Sequence, residues 1–404
     1  MRSMSPPAPS PPPRPMKVAH VITRLIIGGA QENTIFTVDG LRKSYGHDVT
    51  LITGPPLGPE GSLLHGPWRK SVRCILLPQM RRAVNPFRDM IAFAQLHAIF
   101  RREKYEIVHT HSSKAGILGR LAARLAGVKI IVHTIHGLPF HPYQNRLSNF
   151  MYIFLEKLAA RVSTKIVCVA DAMAEQALAA GVAHKGKFIT IHSGMDLDAF
   201  LRSNGIREEA RHSLGIGDEV VIGMIARLFP LKGHEYLFGA AREVVHHFPN
   251  SRFLLVGEGI LRERFQRILQ RLGLADKFIF AGLVIPERIP EMISAMDILV
   301  HTSLREGLAK ALPQAMACGK PVVSFDVNGA KEVVKGGGTG YLVRPKDVHG
   351  LSIALCRLLS QANLRTRLGQ TGRRFVDPAF REELMVEKIH ALYESLQQEA
   401  GRGI

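Results

Sequence analysis

Two segments in the second half of the chain contain residue types that bind phosphate and hydroxyl groups. In the first segment, Arg227 and Lys232 lie five residues apart in a turn that leads from a predicted strand into a predicted helix. Two cations placed in this way can converge on one phosphate, and the helix N-terminus adds partial positive charge. The alternative is a pair of solvated surface cations, but the position at a strand end favours the phosphate interpretation.

The second segment runs from a predicted strand that ends at His301, through Glu306 and Gly307, into a helix. A carboxylate in such a turn can accept hydrogen bonds from ligand hydroxyls, and the neighbouring glycine leaves backbone N–H groups accessible. Gln314 follows Glu306 by eight positions, which is about two helical turns, so the spacing predicts that both side chains lie on about the same helix face.

The strand ends of the first half give weaker signals. The dipeptide Gly28–Gly29 follows the first predicted strand, where it forms either a simple tight turn or the anion-binding start of a helix. Two further strands end in histidine pairs, His109/His111 and His133/His136. Because no Asp or Glu adjoins either pair, hydrogen bonding to a polar ligand is favoured over metal binding. We expect His109 and His133 to be packed strand residues.

These residues are positioned by an alternation of short apolar strands and amphipathic helices. The predicted strands are 18–23, 48–53, 72–77, 107–111, 129–133, 165–169, 188–192, 220–226, 252–256, 278–280, 297–301 and 321–325. Continuous apolar strands separated by helices indicate parallel sheets covered on both faces. The alternation is interrupted by the polar, glycine-containing segment 196–218, which we predict to be a linker, so the chain is predicted to form two α/β units in tandem.

The composition agrees with a folded chain that needs no disulfide or metal to build its core. The 404 residues are 46% hydrophobic and 22% charged, and the four cysteines are widely spaced without a CxxC pair. No apolar run is long enough to span a membrane, and residues 1–15 form a Pro-rich tail without the apolar region of a secretory signal. We therefore expect a reduced, cytoplasmic protein.

The net charge of +19 is unevenly distributed. Residues 1–204 hold 26 basic and 12 acidic side chains, a net +14, and the remainder carries +5. The excess indicates an anionic partner such as a membrane surface or a phosphorylated substrate, or else ordinary solubility charge, because the basic residues are scattered. We find no nucleic-acid-binding motif and predict no nucleic-acid partner. A membrane face would use the predicted helix 86–102, with Phe87, Phe93 and Phe100 as its apolar edge unless these rings face the core.

Taken together, the motifs resemble those of the retaining glycosyltransferases of family 4, which have the two-domain GT-B fold. The similarity runs from about Lys17 to the C-terminus. The residues that carry it are Gly28–Gly29, 133–137 (HTIHG), 193–196 (SGMD), Arg227 with Lys232, 256–259 (VGEG), Glu306–Gly307 and 315–319 (AMACG).

The resemblance implies transfer of a sugar from a nucleotide-diphosphate sugar to a saccharide or lipid-linked acceptor, with retention of configuration and without a metal or other cofactor. It implies that Arg227 and Lys232 bind the donor diphosphate. Glu306, with the amides of Gly307 and Leu308, would hold the donor-sugar hydroxyls.

The resemblance further implies that His136 lies beside the transferred sugar and Gly29 beside the donor phosphate or the acceptor. It divides the chain into an acceptor domain (16–198), a donor domain (199–375) and a C-terminal segment (376–404) whose helix crosses back to the first domain. The enzyme would act in the cytoplasm, either free or peripheral on the inner face of the membrane.

The sequence departs from the family pattern at Gln314, where the family has a second glutamate that binds the ribose hydroxyls. An amide can still hydrogen-bond the ribose but lacks charge, so donor binding is weakened rather than abolished. The alternatives are a non-catalytic or weakly active relative and a nucleotide-sugar 2-epimerase. The pair Asp196 and Asp198 fits the DxD pattern of metal-dependent glycosyltransferases, but we interpret Asp196 as a turn or helix-cap residue.

Overall fold

The structure is a computed structural model that describes residues 14–58 and 60–402. Most of the predicted Pro-rich tail, residues 1–13, therefore lies outside the described residues. The strands are β1 Lys17–Arg24, β2 Asp48–Gly54, β3 Arg73–Leu76, β4 Ile107–His111, β5 Ile130–Ile135, β6 Lys165–Cys168, β7 Phe188–Thr190, β8 Val220–Ile225, β9 Ser251–Val256, β10 Phe278–Gly282, β11 Ile298–His301, β12 Val322–Phe325 and β13 Gly340–Val343.

Helices connect these strands and cover the faces of the sheets. They are α1 Gly29–Tyr45, α2 Pro86–Glu103, α3 Ser113–Leu125, α4 Arg146–Val162, α5 Asp171–Ala179, α6 Asp198–Leu201, α7 Arg207–Ser213, α8 His234–His247, α9 Arg262–Arg271, α10 Ile289–Ala295, α11 Ala311–Ala317, α12 Ala330–Val333, α13 Val348–Ser360, α14 Ala362–Val376 and α15 Glu382–Arg402.

The strands form two separate parallel sheets, which confirms the predicted α/β architecture with two Rossmann-like halves. The first sheet has the order β3-β2-β1-β4-β5-β6-β7 and the second β10-β9-β8-β11-β12-β13. In each sheet the strand order reverses beside the first strand of its half, between β1 and β4 and between β8 and β11. Ligands bind at the carboxyl ends of strands at such reversal points, so the loops after these four strands are the expected ligand loops.

Two elements differ from the prediction. Strand β13 was missed because it is short and follows the glycine-rich residues 336–338, which read as a turn. The segment 196–218, predicted to be a linker, lies between the two sheets but contains the short helices α6 and α7. Helix α7 packs against the second half. The buried guanidinium of Arg211 in α7 donates hydrogen bonds to the backbone carbonyls of Glu219 and Ala295.

The last helix, α15, packs on the first half of the molecule although it follows the second half in sequence. Its buried residues Met385, Ile389, Tyr393 and Leu396 belong to the same apolar cluster as Val18 in β1. The close approach of the two segments is visible at Gly194, where a Cβ atom would lie 2.5 Å from the Cα of Glu382. The core of the first half is therefore completed by the C-terminal residues.

Candidate active site

A cleft of about 1290 Å³ lies between the carboxyl ends of the two sheets. The eight residues that the resemblance assigns to the site all line it: Gly29, His136, Arg227, Lys232, Glu306, Gly307, Leu308 and Gln314. They come from the start of helix α1, from the loops after β5, β8 and β11 and from helix α11, so the fold brings together residues that are up to 285 positions apart in the chain.

The turn that carries Arg227 and Lys232 is held in an unusual backbone conformation. Leu231 has a φ of 67° and Gly233 a φ of 77°, both in the left-handed region. At Gly233 no side chain fits, because a Cβ atom would lie 1.9 Å from the carbonyl oxygen of Thr302. The Thr302 hydroxyl donates to the Gly233 carbonyl at 2.8 Å and fixes the turn. Left-handed strain of this kind persists where the surroundings determine it, commonly at binding sites.

Glu306 lies at the centre of a small charged network. The ammonium of Lys232 donates to its carboxylate, and the Nε2 atom of His301 lies 3.6 Å from the same oxygen. Burial alone raises the pKa of Glu306, but Lys232 and His301 together outweigh it, so the net pKa lies well below the usual range. Glu306 is therefore an anionic hydrogen-bond acceptor at neutral pH.

The backbones of the two halves approach each other closely at Gly307. A Cβ atom there would lie 2.0 Å from the carbonyl oxygen of His136, so only glycine allows this approach. Burial, with a smaller contribution from Lys310, lowers the pKa of His136 to about 3. The imidazole is therefore neutral, and its Nε2 atom lies 3.1 Å from Nδ1 of His111.

The sequence did not reveal two ion pairs that connect the halves across the cleft. Glu60, buried in the loop after β2, contacts Arg24 at 2.9 Å and Arg227 at 3.3 Å. No motif marks Glu60, because its position depends on how the two halves meet. Lys310 forms a 2.7 Å ion pair with Glu32 of α1. The only feature of the sequence that could have indicated Lys310 is its position four residues after Glu306.

Two of the sequence interpretations change in detail. Gln314 lines the cleft but does not share a helix face with Glu306, because Glu306 lies in the loop and α11 begins only at Ala311. Gly29 lines the cleft opposite Lys310, whose Cδ atom would lie 3.1 Å from a Cβ atom at that position.

The DxD residues are engaged in local structure. Asp196 accepts a hydrogen bond from the backbone N–H of Asp198 at 3.0 Å, as expected of a turn residue. Asp198 lies 2.9 Å from Arg381, and hydrogen bonding to this guanidinium lowers its pKa. Asp198 is thus paired at the junction between the first half and α15, whereas Asp196 also lines the cleft.

Two groups of side chains could hold a metal ion within the described ranges 14–58 and 60–402. One consists of the buried His20, His109 and His111, and the other of Asp171, His192 and Glu332. His109 and His133 are fully packed in their strands, as expected from the sequence. Glu332 already accepts hydrogen bonds from the backbone N–H groups of Asp171 and Ala172 and lies 2.8 Å from His192, which joins the two halves.

Comparison with known proteins identifies both halves. The family model described as Glycosyltransferase Family 4 matches residues 27–199, and the model Glycosyl transferases group 1 matches residues 206–375. The chain is 30% identical, over 94% of its length and 96% of the other, to the UDP-Gal:alpha-D-GlcNAc-diphosphoundecaprenol alpha-1,3-galactosyltransferase of Escherichia coli.

Two further proteins are similar to most of this chain. The capsular polysaccharide biosynthesis glycosyltransferase CapM of Staphylococcus aureus is 24% identical over 80% of this chain and 85% of its own. An Anabaena protein solved in complex with UDP-glucose superposes with a TM-score of 0.80 at 20% identity and covers 94% of this chain and 100% of that one, which shows the shared fold. With both halves matched and the full-length relative at 30% identity, the chain belongs to the group 1, family 4 glycosyltransferases, enzymes of the GT-B fold that transfer hexoses.

Proposed function

We propose that this enzyme transfers a hexose from a nucleoside-diphosphate sugar to a saccharide carried on a lipid diphosphate, with retention of configuration and without a metal. The observation that carries the proposal is the convergence of Arg227, Lys232 and Glu306 in one cleft between the two sheets. Two cations and an anionic acceptor of hydroxyl hydrogen bonds match the diphosphate and the sugar of such a donor.

The second half supplies the donor site. As the bond between the sugar C1 and the diphosphate breaks, negative charge develops on the phosphate oxygen, and Arg227 with Lys232 stabilises that charge. Glu306 accepts hydrogen bonds from the sugar hydroxyls, beside the backbone N–H groups of Gly307 and Leu308. Gln314 takes the ribose.

The first half supplies the neighbouring part of the site. His136 contacts the transferred sugar, and its approach to Gly307 supports that placement. Gly29, the first residue of α1, lies beside the donor phosphate or the acceptor.

The metal-independent interpretation is supported by what surrounds the two candidate DxD carboxylates. Asp198 is paired with Arg381, and the cations that face the diphosphate site can provide the positive charge that a metal would otherwise provide. Glu306 is likewise paired with Lys232. A phosphate-bound metal would have to compete with these protein cations for the same carboxylates.

The acceptor class is supported by the first half of the molecule and by the Escherichia coli relative, whose name specifies a diphosphoundecaprenol acceptor. The first half carries the excess of positive charge, and it presents an apolar surface that suits contact with lipid. No helix within the described ranges is both long and apolar enough to cross a bilayer. We therefore propose peripheral binding to the inner, anionic face of the membrane.

The apolar surface, here called the α2/α4 stripe, differs from the predicted one. It consists of two exposed sets on helices that both pack against α3: Val84, Phe87, Met90 and Ile91 in and before α2, and Leu147, Phe150, Met151 and Phe154 in α4. In the predicted edge, Phe87 is 77% exposed and fits, but Phe93 is half-buried and Phe100 is only 1% exposed, so the prediction is wrong for both. The apolar face of α4 was not included in the predicted surface, because periodicity does not show whether an apolar helix face is covered.

The stripe has the features of an interfacial surface. Its α4 members recur at positions i, i+3, i+4 and i+7, which places them on one helix face. The exposed cations Arg88, Arg146, Lys157 and Arg161 lie on the same helices. Apolar residues flanked by cations are typical of helices that rest on an anionic membrane, where each cation contributes ~1 kcal/mol.

The proposed function is tested by acceptor-dependent turnover. Nucleoside-diphosphate sugars are first screened by thermal shift, because a bound donor raises the apparent stability. The full chain is then incubated with the best donor and a lipid-diphosphate-linked N-acetylhexosamine, with and without EDTA. We expect nucleoside diphosphate to be released only with acceptor, EDTA to leave most activity intact, and NMR of the product to show the anomeric configuration of the donor.

The alternatives give different results in the same assay. A donor that binds without any acceptor-dependent release indicates a non-catalytic relative. Conversion of the donor sugar into its 2-epimer without acceptor indicates an epimerase. Activity that EDTA abolishes and Mn²⁺ restores contradicts the metal-independent mechanism. Asp196 and Asp198 would then be the candidate metal ligands.

A further inference from the structure

A continuous chain of hydrogen-bonding side chains runs from the interior of the first half to His136 in the cleft. It starts at the Thr134 hydroxyl, which lies 2.7 Å from Nε2 of His109, and the other nitrogen of His109 lies 2.6 Å from the Tyr393 hydroxyl. That hydroxyl also contacts Nε2 of His20 at 3.2 Å. His20 Nδ1 lies 2.9 Å from Nε2 of His111.

The chain ends where the ring of His111 meets the ring of His136. His111 Nδ1 lies 3.1 Å from His136 Nε2, and His136 lines the cleft. Within the described part of the chain, Nδ1 of His136 has no protein partner. It is therefore the ring nitrogen that can meet a ligand.

Every member between Thr134 and His111 is buried, and the rings are electrically neutral. Burial lowers the pKa of His20 and of His136 to about 3 and holds the pKa values of His109 and His111 well below the usual range. A neutral imidazole has one N–H donor and one acceptor nitrogen. Consequently, each ring that donates a hydrogen bond to one neighbour accepts a hydrogen bond from the other. All hydrogen bonds of the chain therefore run from donor to acceptor in the same direction.

The distances around the Tyr393 hydroxyl favour one of the two directions. Hydroxyl donors form shorter hydrogen bonds than ring N–H donors, so we assign the 2.6 Å contact to Tyr393 donating to His109 Nδ1 and the 3.2 Å contact to His20 Nε2–H donating to Tyr393. It follows that His111 Nε2–H donates to His20 and that His136 Nε2–H donates to His111. His136 then presents an unprotonated Nδ1 to the cleft.

The same distances disfavour a metal in the cluster of His20, His109 and His111. Nitrogen ligands about 2.0–2.1 Å from a tetrahedral zinc are about 3.3 Å or more apart, whereas His20 Nδ1 and His111 Nε2 are separated by 2.9 Å. Each of these nitrogens also serves a neighbour in the chain. A metal would break bonds that now satisfy buried polar atoms.

We propose that this hydrogen-bond chain positions His136 as an acceptor of a sugar hydroxyl hydrogen bond, and that Tyr393, contributed by the C-terminal helix α15, is a positioning residue for transfer. The proposal rests on the proposed function, in which His136 contacts the transferred sugar. The Tyr393 hydroxyl lies in the middle of the chain, between His109 and His20. It can donate a hydrogen bond to only one of these two rings, and that choice determines the direction of all the other hydrogen bonds. Without it, His20, His111 and His136 can reverse their tautomers together.

The kinetic test compares Tyr393→Phe with His390→Gln. His390 lies one turn earlier in α15 and contacts buried His47 at 3.0 Å, so it matches Tyr393 in location but has no link to His136. We expect Tyr393→Phe to lower kcat about tenfold while the Kd of the nucleoside diphosphate changes less than about twofold, the scale of one oriented hydrogen bond. His390→Gln should retain the kcat of the unaltered enzyme.

A double-mutant cycle distinguishes positioning from general damage. In a His136→Ala background, Tyr393→Phe should cause no further loss, because its effect passes through the absent ring. An equal loss in both backgrounds, or an unchanged kcat in the single variant, overturns the proposal.

The tautomers can be measured without turnover, so this part remains decisive even if the proposed function fails. Ring ¹⁵N shifts of histidine-labelled full-length protein at neutral pH should show His136 protonated at Nε2 and not at Nδ1, with the signal assigned by its loss in His136→Ala. Tyr393→Phe should introduce a population protonated at Nδ1, and His390→Gln should not. A His136 protonated at Nδ1 in the unaltered protein, or insensitivity to Tyr393→Phe, contradicts the assigned chain.

Discussion

The buried carboxylate of Glu60 reaches across the cleft, where its Oε1 atom lies 3.3 Å from the guanidinium of Arg227 and 2.9 Å from that of Arg24. Arg227, one of the two cations proposed to bind the donor diphosphate, is thus already paired with a carboxylate of the protein. The pair also joins the loop after β2 to the loop after β8. Donor binding must therefore compete with a contact between the halves.

Replacing Glu60 by Gln should tighten diphosphate binding. The substitution removes one negative charge beside the phosphate site and releases Arg227, so the Kd of a nucleoside diphosphate should fall about threefold to tenfold, the range of a partly buried charge contact. Calorimetric titration measures the change. Glu291→Gln, at an exposed pair with Arg288 in α10, serves as the control. Equal or weaker binding by Glu60→Gln would mean that Glu60 orients Arg227 rather than competing for it.

Removing either phosphate cation should reduce catalysis far more than stability. Arg227→Ala and Lys232→Ala each remove one preorganised charge from the leaving diphosphate, which typically costs ~100–1000-fold in kcat. Steady-state rates and thermal unfolding of the same preparations measure both effects. Arg344→Ala, an exposed cation of the same half, should leave both unchanged. Turnover near that of the unaltered enzyme in either site variant would contradict the phosphate role.

Gln314→Glu should tighten donor binding by restoring the charged ribose contact of the family. A hydrogen bond to a charged group contributes ~1 kcal/mol more than one to a neutral group, so the Kd of the nucleotide should fall about fivefold. Titration with the nucleoside diphosphate and with the free base distinguishes the ribose contact from others. Unchanged or weaker binding would show that the site has adapted around the amide.

Glu382, the first residue of α15, should make stability depend on pH. Burial, together with Asp196 and Glu383, raises its pKa to about 7, above the value of about 4.3 expected in the unfolded chain. The folded state then binds the proton more tightly, so the stability that this group contributes is present below about pH 4 and is lost as the pH rises to about 7.

Glu382→Gln should therefore raise the free energy of unfolding at pH 8 by about 1 kcal/mol, a value discounted for partial solvent screening. The gain should vanish towards about pH 4. Denaturant unfolding at the two pH values measures it, and Glu383→Gln, on the exposed neighbour, should show no such dependence. A constant difference across pH would contradict the raised pKa.

The α2/α4 stripe should determine binding to anionic vesicles. The full chain should co-sediment with vesicles that contain anionic lipid, and binding should fall with salt because exposed charges are screened within ~10 Å at 0.1 M. Replacing Phe150 and Phe154 by Ser should weaken sedimentation severalfold through loss of apolar contact. Ile353→Ser, an exposed apolar residue of α13, should not. Protein that stays in the supernatant at low salt would contradict membrane docking.

The residues lining the site could be predicted where local chemistry and strand order determine them. Arg227, Lys232 and Glu306 follow strands whose apolar runs are unmistakable, and the parallel topology places all such strand ends on one edge. Glu60 and Lys310 could not be recognised, because their partners come from the opposite half and depend on how the halves meet. The exposure of Phe150 was missed for a related reason: periodicity identifies an apolar helix face without showing whether anything covers it.

The burial of Tyr393 and Leu396 in the first half has a consequence for how the polypeptide is made. Domains generally fold as they emerge during synthesis, the N-terminal one first. Here the first sheet cannot acquire its full covering until the ribosome has released the final helix, long after the second sheet has emerged. Nascent chains that stop short of α15 should therefore expose part of the first core, and separate expression of residues 1–198 should require α15, supplied in trans or fused, to give a stable product.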